Sequence, residues 1–123
     1  MSFRIRPLTL AILWTIFIMV LLTIPGKSIP SVSIFEFDKL IHAGLFFVLT
    51  VAWLRAVAGR YVYKAVLVVG AILIFSFVSE WFQEVLPIGR TADVFDAVAD
   101  SIGALIGLAT WSIWGFFQGK PKE

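Results

Sequence analysis

Cysteine is absent from this chain, which excludes disulfide frameworks, thiolate metal sites and cysteine nucleophiles. Charge is also scarce, because only 15% of the 123 residues are Asp, Glu, Lys or Arg, whereas soluble domains carry about 25%. The chain has one histidine and contains neither the H-E-x-x-H pattern of zinc proteases nor the G-x-S-x-G pattern of serine hydrolases. A functional site must therefore be built from carboxylates, amides, hydroxyls, basic side chains and a single imidazole.

What the chain has in abundance is apolar sequence. Hydrophobic residues make up 60% of it, and its mean hydropathy is +0.98. The net charge of +2 is small, and the basic residues lie between apolar runs rather than in a patch, so no nucleic-acid partner is expected. The composition predicts an integral membrane protein whose main partner is the lipid bilayer.

Four apolar runs are long enough to cross a membrane as helices, since a bilayer core of about 30 Å takes roughly 17 to 25 residues. They span residues 8–24, 40–57, 65–86 and 94–117, and proline or glycine lies in the gaps between them. The sequence shows no internal repeat and no long linker. We therefore predict one all-α domain over residues 1–123, a bundle of four transmembrane helices.

The first run also has features of a signal peptide, since Arg4 and Arg6 precede it. Its apolar core is longer than the roughly 7 to 15 residues of such signals and no clear A-x-A cleavage site follows, so we expect it to be retained. Seven Lys and Arg residues lie in the N-terminus, the second loop and the C-terminus, against three in the first and third loops and the adjoining span edges. The positive-inside rule then places both termini in the cytoplasm and the first and third loops outside.

Acidic residues have the opposite distribution. The chain has eight of them, and all except Glu123 lie in the first or third loop or at the helix ends beside those loops. The single histidine, His42, lies there too. The helices are therefore predicted to bring nearly all of their acidic side chains, with the histidine, to the outer side of the membrane.

The spacing of these residues places them on particular helix faces. Asp38 and His42 are four residues apart on the second helix, and Glu80 and Gln83 are three apart on the third. The fourth helix carries a longer stripe in steps of three and four, consisting of Asp93, Asp96, Asp100, Gly103 and Gly107. Its first member, just before the helix, is the predicted N-cap. Its Gly-x-x-x-Gly end predicts close helix packing, within the monomer or in a homo-oligomer.

Two carboxylates lie well inside the predicted spans. Glu80 is six residues from the end of its span and Asp100 is seven from the start of the stripe, so each lies roughly 9 to 10 Å along its helix. A charge facing lipid at that depth is costly, so both, together with Asp96, are expected to face the bundle interior. Glu80 and Asp100 would both stay ionised only beside a cation. The candidate cations are Arg90, Lys39, protonated His42 and a bound divalent metal ion.

Three motifs in order give the chain a resemblance to a known family. The segments DKLIH (residues 38–42), SEWFQ (79–83) and GRTADVFDAVADSIGALIG (89–107) resemble the VanZ-like family of small bacterial membrane proteins. One departure is that Asp100 stands where asparagine is more usual in that family. The resemblance implies a multi-pass protein of the bacterial inner membrane that acts at the outer face of the cell envelope. Through the namesake of the family, it also implies a link to resistance against glycopeptide antibiotics of the teicoplanin type.

A binding role is the function that the sequence favours. In this interpretation Lys39 and Arg90 take the anionic groups of a lipid-linked cell-wall precursor or a glycopeptide, and the neighbouring acids and Gln83 orient them. The candidate binding cluster comprises Asp38, Lys39, His42, Glu80, Gln83, Arg90, Asp93, Asp96 and Asp100.

Two alternatives use the same residues differently. A membrane enzyme would hold Mg²⁺ or Ca²⁺ beside a lipid-linked substrate, although no residue stands out as its nucleophile. The candidate metal ligands are His42, Glu80, Asp96 and Asp100. A proton- or cation-coupled carrier would use the buried acids as a pathway, but the polar part of the stripe ends at Asp100.

Overall fold

The computed structural model describes residues 5–24, 34–59, 61–87, 89 and 92–119, and the regular structure in those ranges is helical. The helices are α1 (Pro7–Leu22), α2 (Ile34–Trp53), α3 (Val62–Val85) and α4 (Val94–Gln118). A π-helical turn, Leu54–Ala58, continues α2, and Gly59 ends it with a φ of 57°, a conformation that favours glycine. The prediction of an all-α protein with four apolar helices is confirmed.

Three helical segments are long and apolar enough to cross a membrane, namely Asp38–Ala58, Val62–Val85 and Val94–Gln118. Helix α1 is apolar as well but has only 16 residues. The predicted bounds differ most at α2, which begins at Ile34 rather than at residue 40. The charges of Asp38 and Lys39 are compatible with the helix there because both side chains are partly exposed and form ion pairs with neighbouring polar side chains.

The most extensive helix contact is between α2 and α4. At Gly103, an added Cβ would lie 2.8 Å from the carbonyl carbon of Ala43 and would overlap the carbonyl oxygen of that residue. At Gly107, it would lie 3.0 Å from the Cβ of Thr50 and 3.1 Å from the carbonyl oxygen of Phe47. This is close packing of the kind that a Gly-x-x-x-Gly pattern predicts, and here it joins two helices of one chain.

The remaining helices pack around this pair. One buried core draws on all four helices, and its members are Ile18, Phe46, Leu49, Ile72 and Ala104. Two indole groups tie α1 to α2: Trp14 Nε1 donates to the Leu45 carbonyl at 3.0 Å, and Trp53 Nε1 donates to Thr15 Oγ1 at 2.9 Å. A partly buried indole N–H generally finds such a partner, and these two bonds help to position α1 on α2.

The outward surfaces of the helices are apolar. Leu13, Leu67 and Phe116 are among the large apolar side chains that are more than half exposed. Polar side chains such as Ser76 and Asp100 are instead buried between helices. This inversion of the arrangement in water-soluble proteins is that of a membrane protein, in which lipid tails cover the apolar surface.

Candidate functional site: a polar cluster at one end of the bundle

The start of α2, the end of α3 and the start of α4 meet at one end of the bundle and bring polar, mostly ionisable, side chains together. We call this set the polar cluster, and its members are Asp38, Lys39, His42, Ser76, Glu80, Asp93, Asp96 and Asp100. It extends from a partly exposed rim, where the Lys39 side chain is 43% exposed, to a buried floor, where that of Asp100 is 1% exposed.

The floor of the polar cluster is a hydrogen-bonded chain of three buried side chains. His42 Nδ1 lies 2.8 Å from Asp100 Oδ1, and Ser76 Oγ donates to Asp100 Oδ2 at 2.8 Å. An ionised carboxylate can only accept, so His42 donates from Nδ1 in this arrangement. Asp100 therefore connects all three helices and fixes the orientation of the imidazole ring.

The rim is organised by Lys39. Its Nζ donates to Asp93 Oδ2 at 2.7 Å and to Asp96 Oδ1, and it lies 3.5 Å from Asp38 Oδ2. The hydrogen bond from Lys39 lowers the pKa of the Asp93 carboxyl, and the hydrogen bond from the Phe95 N–H adds to this. The sequence offered Lys39 both as a partner for an anionic ligand and as a cation beside Glu80 and Asp100, whereas in the structure its charge contacts the other three carboxylates of the cluster.

His42 is the member of the floor that also faces the rim. Its Nε2 lies 3.6 Å from Asp96 Oδ2 and 3.7 Å from Asp38 Oδ1. Both separations are longer than a direct hydrogen bond. The two ring nitrogens thus face different carboxylates, with Asp100 on the buried side and the other two toward the rim.

Glu80 connects the end of α3 to the start of α4. Its Oε2 accepts from the Asp93 N–H at 3.1 Å, while the Asp93 side chain caps α4 by accepting from the Phe95 N–H at 2.9 Å. The other carboxylate oxygen, Oε1, is buried and has no hydrogen-bond donor among the described residues. Glu80 as a whole is only 6% exposed, so bulk water has little access to that oxygen.

Two triads with the residue types of metal ligands share His42. The inner triad is His42, Glu80 and Asp100, and the outer triad is Asp38, His42 and Asp96. In each triad, one candidate ligand atom from every residue lies within 4.8 Å of the others. The four metal ligands suggested by the sequence are therefore divided between two neighbouring groups.

Two candidates from the sequence are not placed in the polar cluster. Gln83 Nε2 donates to the Leu22 carbonyl at 3.3 Å, so its side chain reaches toward the end of α1. Arg90 lies outside the described residues. Nearby, Glu84 accepts from the Ala92 N–H and thereby supports the connection from α3 to α4.

The described part of the polar cluster contains more carboxylates than basic groups. The carboxylates are Asp38, Glu80, Asp93, Asp96 and Asp100, and the basic side chains are Lys39 and His42. A partly buried region with this balance favours cations and hydrogen-bond donors over free anions.

With this geometry established, comparison with known proteins identifies the family. The family model described as VanZ/LLP1 matches residues 6–115, which include all four helices except the last residues of α4. The chain belongs to the VanZ/LLP1 family. No curated protein and no solved structure matches this VanZ/LLP1 chain. Its membership and its apolar helices together make it a VanZ-like membrane protein.

Sequence reasoning missed Ser76. The serine is four residues before Glu80, so both lie on one face of α3, and this spacing is the signal that could have found it. A single serine in an apolar helix is unremarkable until its partner is known. The structure supplies that partner, Asp100, from another helix.

Proposed function

We propose that this VanZ/LLP1 protein binds the polar headgroup of a lipid-linked cell-envelope component at the outer face of the bacterial inner membrane. The observation that carries the proposal is the polar cluster at a single end of an otherwise apolar bundle. Its rim is accessible, since the side chains of Asp38, Lys39 and Asp93 are 36%, 43% and 41% exposed. A headgroup could reach this rim while its lipid tail lies along the apolar helix surfaces.

The chemistry of the rim favours a ligand that donates hydrogen bonds. Its three carboxylates, from Asp38, Asp93 and Asp96, can accept from hydroxyl or ammonium groups, as sugars and amino acids carry. Lys39 holds these carboxylates in place, because its ammonium group contacts all three. A sugar- or peptide-bearing envelope lipid has the required donors.

The outward orientation of the polar cluster is part of the proposal. It rests on the excess of Lys and Arg in the N-terminus, the second loop and the C-terminus, which the positive-inside rule assigns to the cytoplasm. A protein that binds envelope precursors on the outer leaflet would alter their availability to glycopeptides, and the proposal therefore includes an effect on glycopeptide susceptibility.

Binding can be tested with a purified polyprenyl-linked muropeptide and the detergent-solubilised protein, observed by native mass spectrometry. Replacing the partly buried Asp96 by asparagine removes one charged hydrogen-bond acceptor and should reduce affinity about tenfold. The matched control is Gln118→Ala, at the far end of α4, which should bind like the wild type. Equal binding by wild type and Asp96→Asn would contradict the proposal.

The cellular part of the proposal is tested separately. Expression of the wild-type chain in a susceptible host should change the inhibitory concentration of teicoplanin, and Asp96→Asn should lose most of that change while Gln118→Ala keeps it. An unchanged inhibitory concentration for the wild type would refute the link to glycopeptides and leave the lipid-binding measurement to be judged by itself.

A further inference from the structure

We infer that the inner triad of His42, Glu80 and Asp100 is a binding site for one divalent transition-metal ion, of the zinc or manganese type. The inference rests on the floor of the polar cluster and does not require the proposed ligand at its rim. One imidazole nitrogen and two carboxylate oxygens, mutually within 4.8 Å, provide the donor atoms.

The buried Oε1 of Glu80 is the observation that points to a ligand. Leaving such an oxygen without a donor is unfavourable, because the carboxylate loses its hydration when it is buried. Glu80 is 6% exposed, and no described residue donates to Oε1, although Oε2 is occupied by the Asp93 N–H. The Glu80 carboxylate lies within 4.8 Å of ligand atoms of His42 and Asp100, so a cation bound by these three residues would compensate its buried charge.

The two other members of the triad are already positioned as ligands. Asp100 is fixed by the hydroxyl of Ser76, which donates to its Oδ2 and leaves Oδ1 facing His42. A metal ion would replace the proton now shared between His42 Nδ1 and this oxygen. The Nε2–H would then point toward Asp96 and Asp38, the outer-shell arrangement in which a carboxylate orients a metal-bound histidine.

The outer triad is a weaker candidate for the ion. Lys39 contacts both of its carboxylates, so a cationic partner is already present there. Asp100, by contrast, accepts from His42 and Ser76, and the described contacts give Glu80 no basic partner. The need for an added cation is therefore greater on the floor than at the rim.

The donor set limits which ion fits. A site with one nitrogen and two carboxylate oxygens suits Zn²⁺ or Mn²⁺ better than Mg²⁺ or Ca²⁺, which prefer oxygen ligands alone. Ligand atoms around tetrahedral zinc lie about 3.4 Å apart, as follows from bond lengths of about 2.1 Å. The 2.8 Å between His42 Nδ1 and Asp100 Oδ1 must therefore widen by about 0.6 Å when a metal ion takes the place of the proton between them. Three protein ligands leave a coordination position for water or another oxygen.

The site is tested with the purified full chain, stripped of metal by chelation and then dialysed against Zn²⁺ or Mn²⁺. Elemental analysis after gel filtration should give one equivalent of metal for the wild type. Glu80→Gln keeps the shape of the side chain but removes the ligating charge, and it should lower affinity at least about 100-fold, beyond the effect of an outer-shell change. Glu84→Gln, one helical turn further along α3, is the matched control and should retain binding.

A second measurement needs no variant. Cobalt(II) added to the stripped wild-type protein should develop intense visible ligand-field bands, and one equivalent of Zn²⁺ should abolish them. The inference is overturned if the wild type retains no metal, or if Glu80→Gln and Glu84→Gln bind it equally. It is likewise overturned if the cobalt spectrum stays that of the hydrated ion.

Discussion

Near one end of the α2–α4 interface, the polar side chains of Lys39 and His42 on α2 contact Asp96 and Asp100 on α4. Further along the same interface, Gly103 has no side chain and the backbone of α2 lies directly against it. Both regions use one stripe of α4, so the same helix pair is joined first by directional polar contacts and then by steric fit.

This difference indicates that the close packing at Gly103 and Gly107 sets the geometry of the polar contacts between α2 and α4. Hydrogen bonds such as that between His42 and Asp100, at 2.8 Å, tolerate little displacement. Gly103 is three residues after Asp100 and Ala43 directly follows His42, so the close backbone contact between Gly103 and Ala43 lies beside this hydrogen bond and restricts the separation of the two helices there. Close packing at these two glycines therefore determines whether the polar cluster can form.

The largest expected effect on stability comes from disrupting the close helix contact at Gly103. Gly103→Leu would drive a side chain into the backbone of Ala43, which cannot rotate away, and should destabilise the protein by more than about 3 kcal/mol. The measurement is unfolding by titration with a denaturing detergent, with monodispersity followed by gel filtration.

Substitutions at two other glycines of α4 should have smaller effects on stability than Gly103→Leu. Gly107→Ala would place its Cβ 3.0 Å from the Cβ of Thr50 and 3.1 Å from the carbonyl oxygen of Phe47, so α2 must shift by a few tenths of an ångström, and the substitution should cost about 1 to 2 kcal/mol. Gly115→Leu enters space with no atom within 4 Å of its Cβ and should leave stability nearly unchanged. A Gly103→Leu protein as stable as Gly115→Leu would show that the close contact does not hold the helices.

The next largest effect on stability is expected at the floor of the polar cluster. Asp100→Ala leaves both the His42 Nδ1–H and the Ser76 hydroxyl buried without an acceptor, and should cost about 2 to 3 kcal/mol in the same unfolding assay. Asp100→Asn keeps one acceptor oxygen and the side-chain volume, so its cost should be about half as large or less. If both variants matched the wild type, the floor would contribute nothing to the stability of the bundle.

The smallest effect is expected at the rim and depends on pH. Lys39 holds the pKa of Asp93 below its usual value of 3.8, so Asp93 contributes stability that is present above that pH and lost as the pH falls through the lowered pKa. The unfolding midpoint of the wild type should therefore fall as the solution is acidified below about pH 4. Asp93→Asn preserves the helix cap but removes the titrating group, and should flatten this part of the profile. If wild type and Asp93→Asn had the same pH dependence of the unfolding midpoint, Asp93 would not contribute to it.

Much of this arrangement could be predicted from individual residues. The apolar runs fixed the number of helices, and the steps of three and four residues in α4 placed Asp96, Asp100 and Gly103 on one face. The role of Lys39 could not be predicted, since its partners Asp93 and Asp96 are 54 and 57 residues away in the chain. The hydrogen bond from Gln83 to the Leu22 carbonyl could not be predicted either, because these residues are 61 positions apart and the bond depends on where α1 lies.

The sequence by itself determined that this is an all-helical membrane protein with its acidic side chains gathered at certain helix ends, because hydropathy and helical periodicity are local properties. Only the tertiary structure decided which charges pair. Asp100 is hydrogen-bonded to His42 and Ser76, and Lys39 pairs with the rim carboxylates. One oxygen of Glu80 has no donor among the described residues. The reason is physical: pairing depends on the separation and rotation of packed helices, which the close contact between Gly103 and Ala43 restricts.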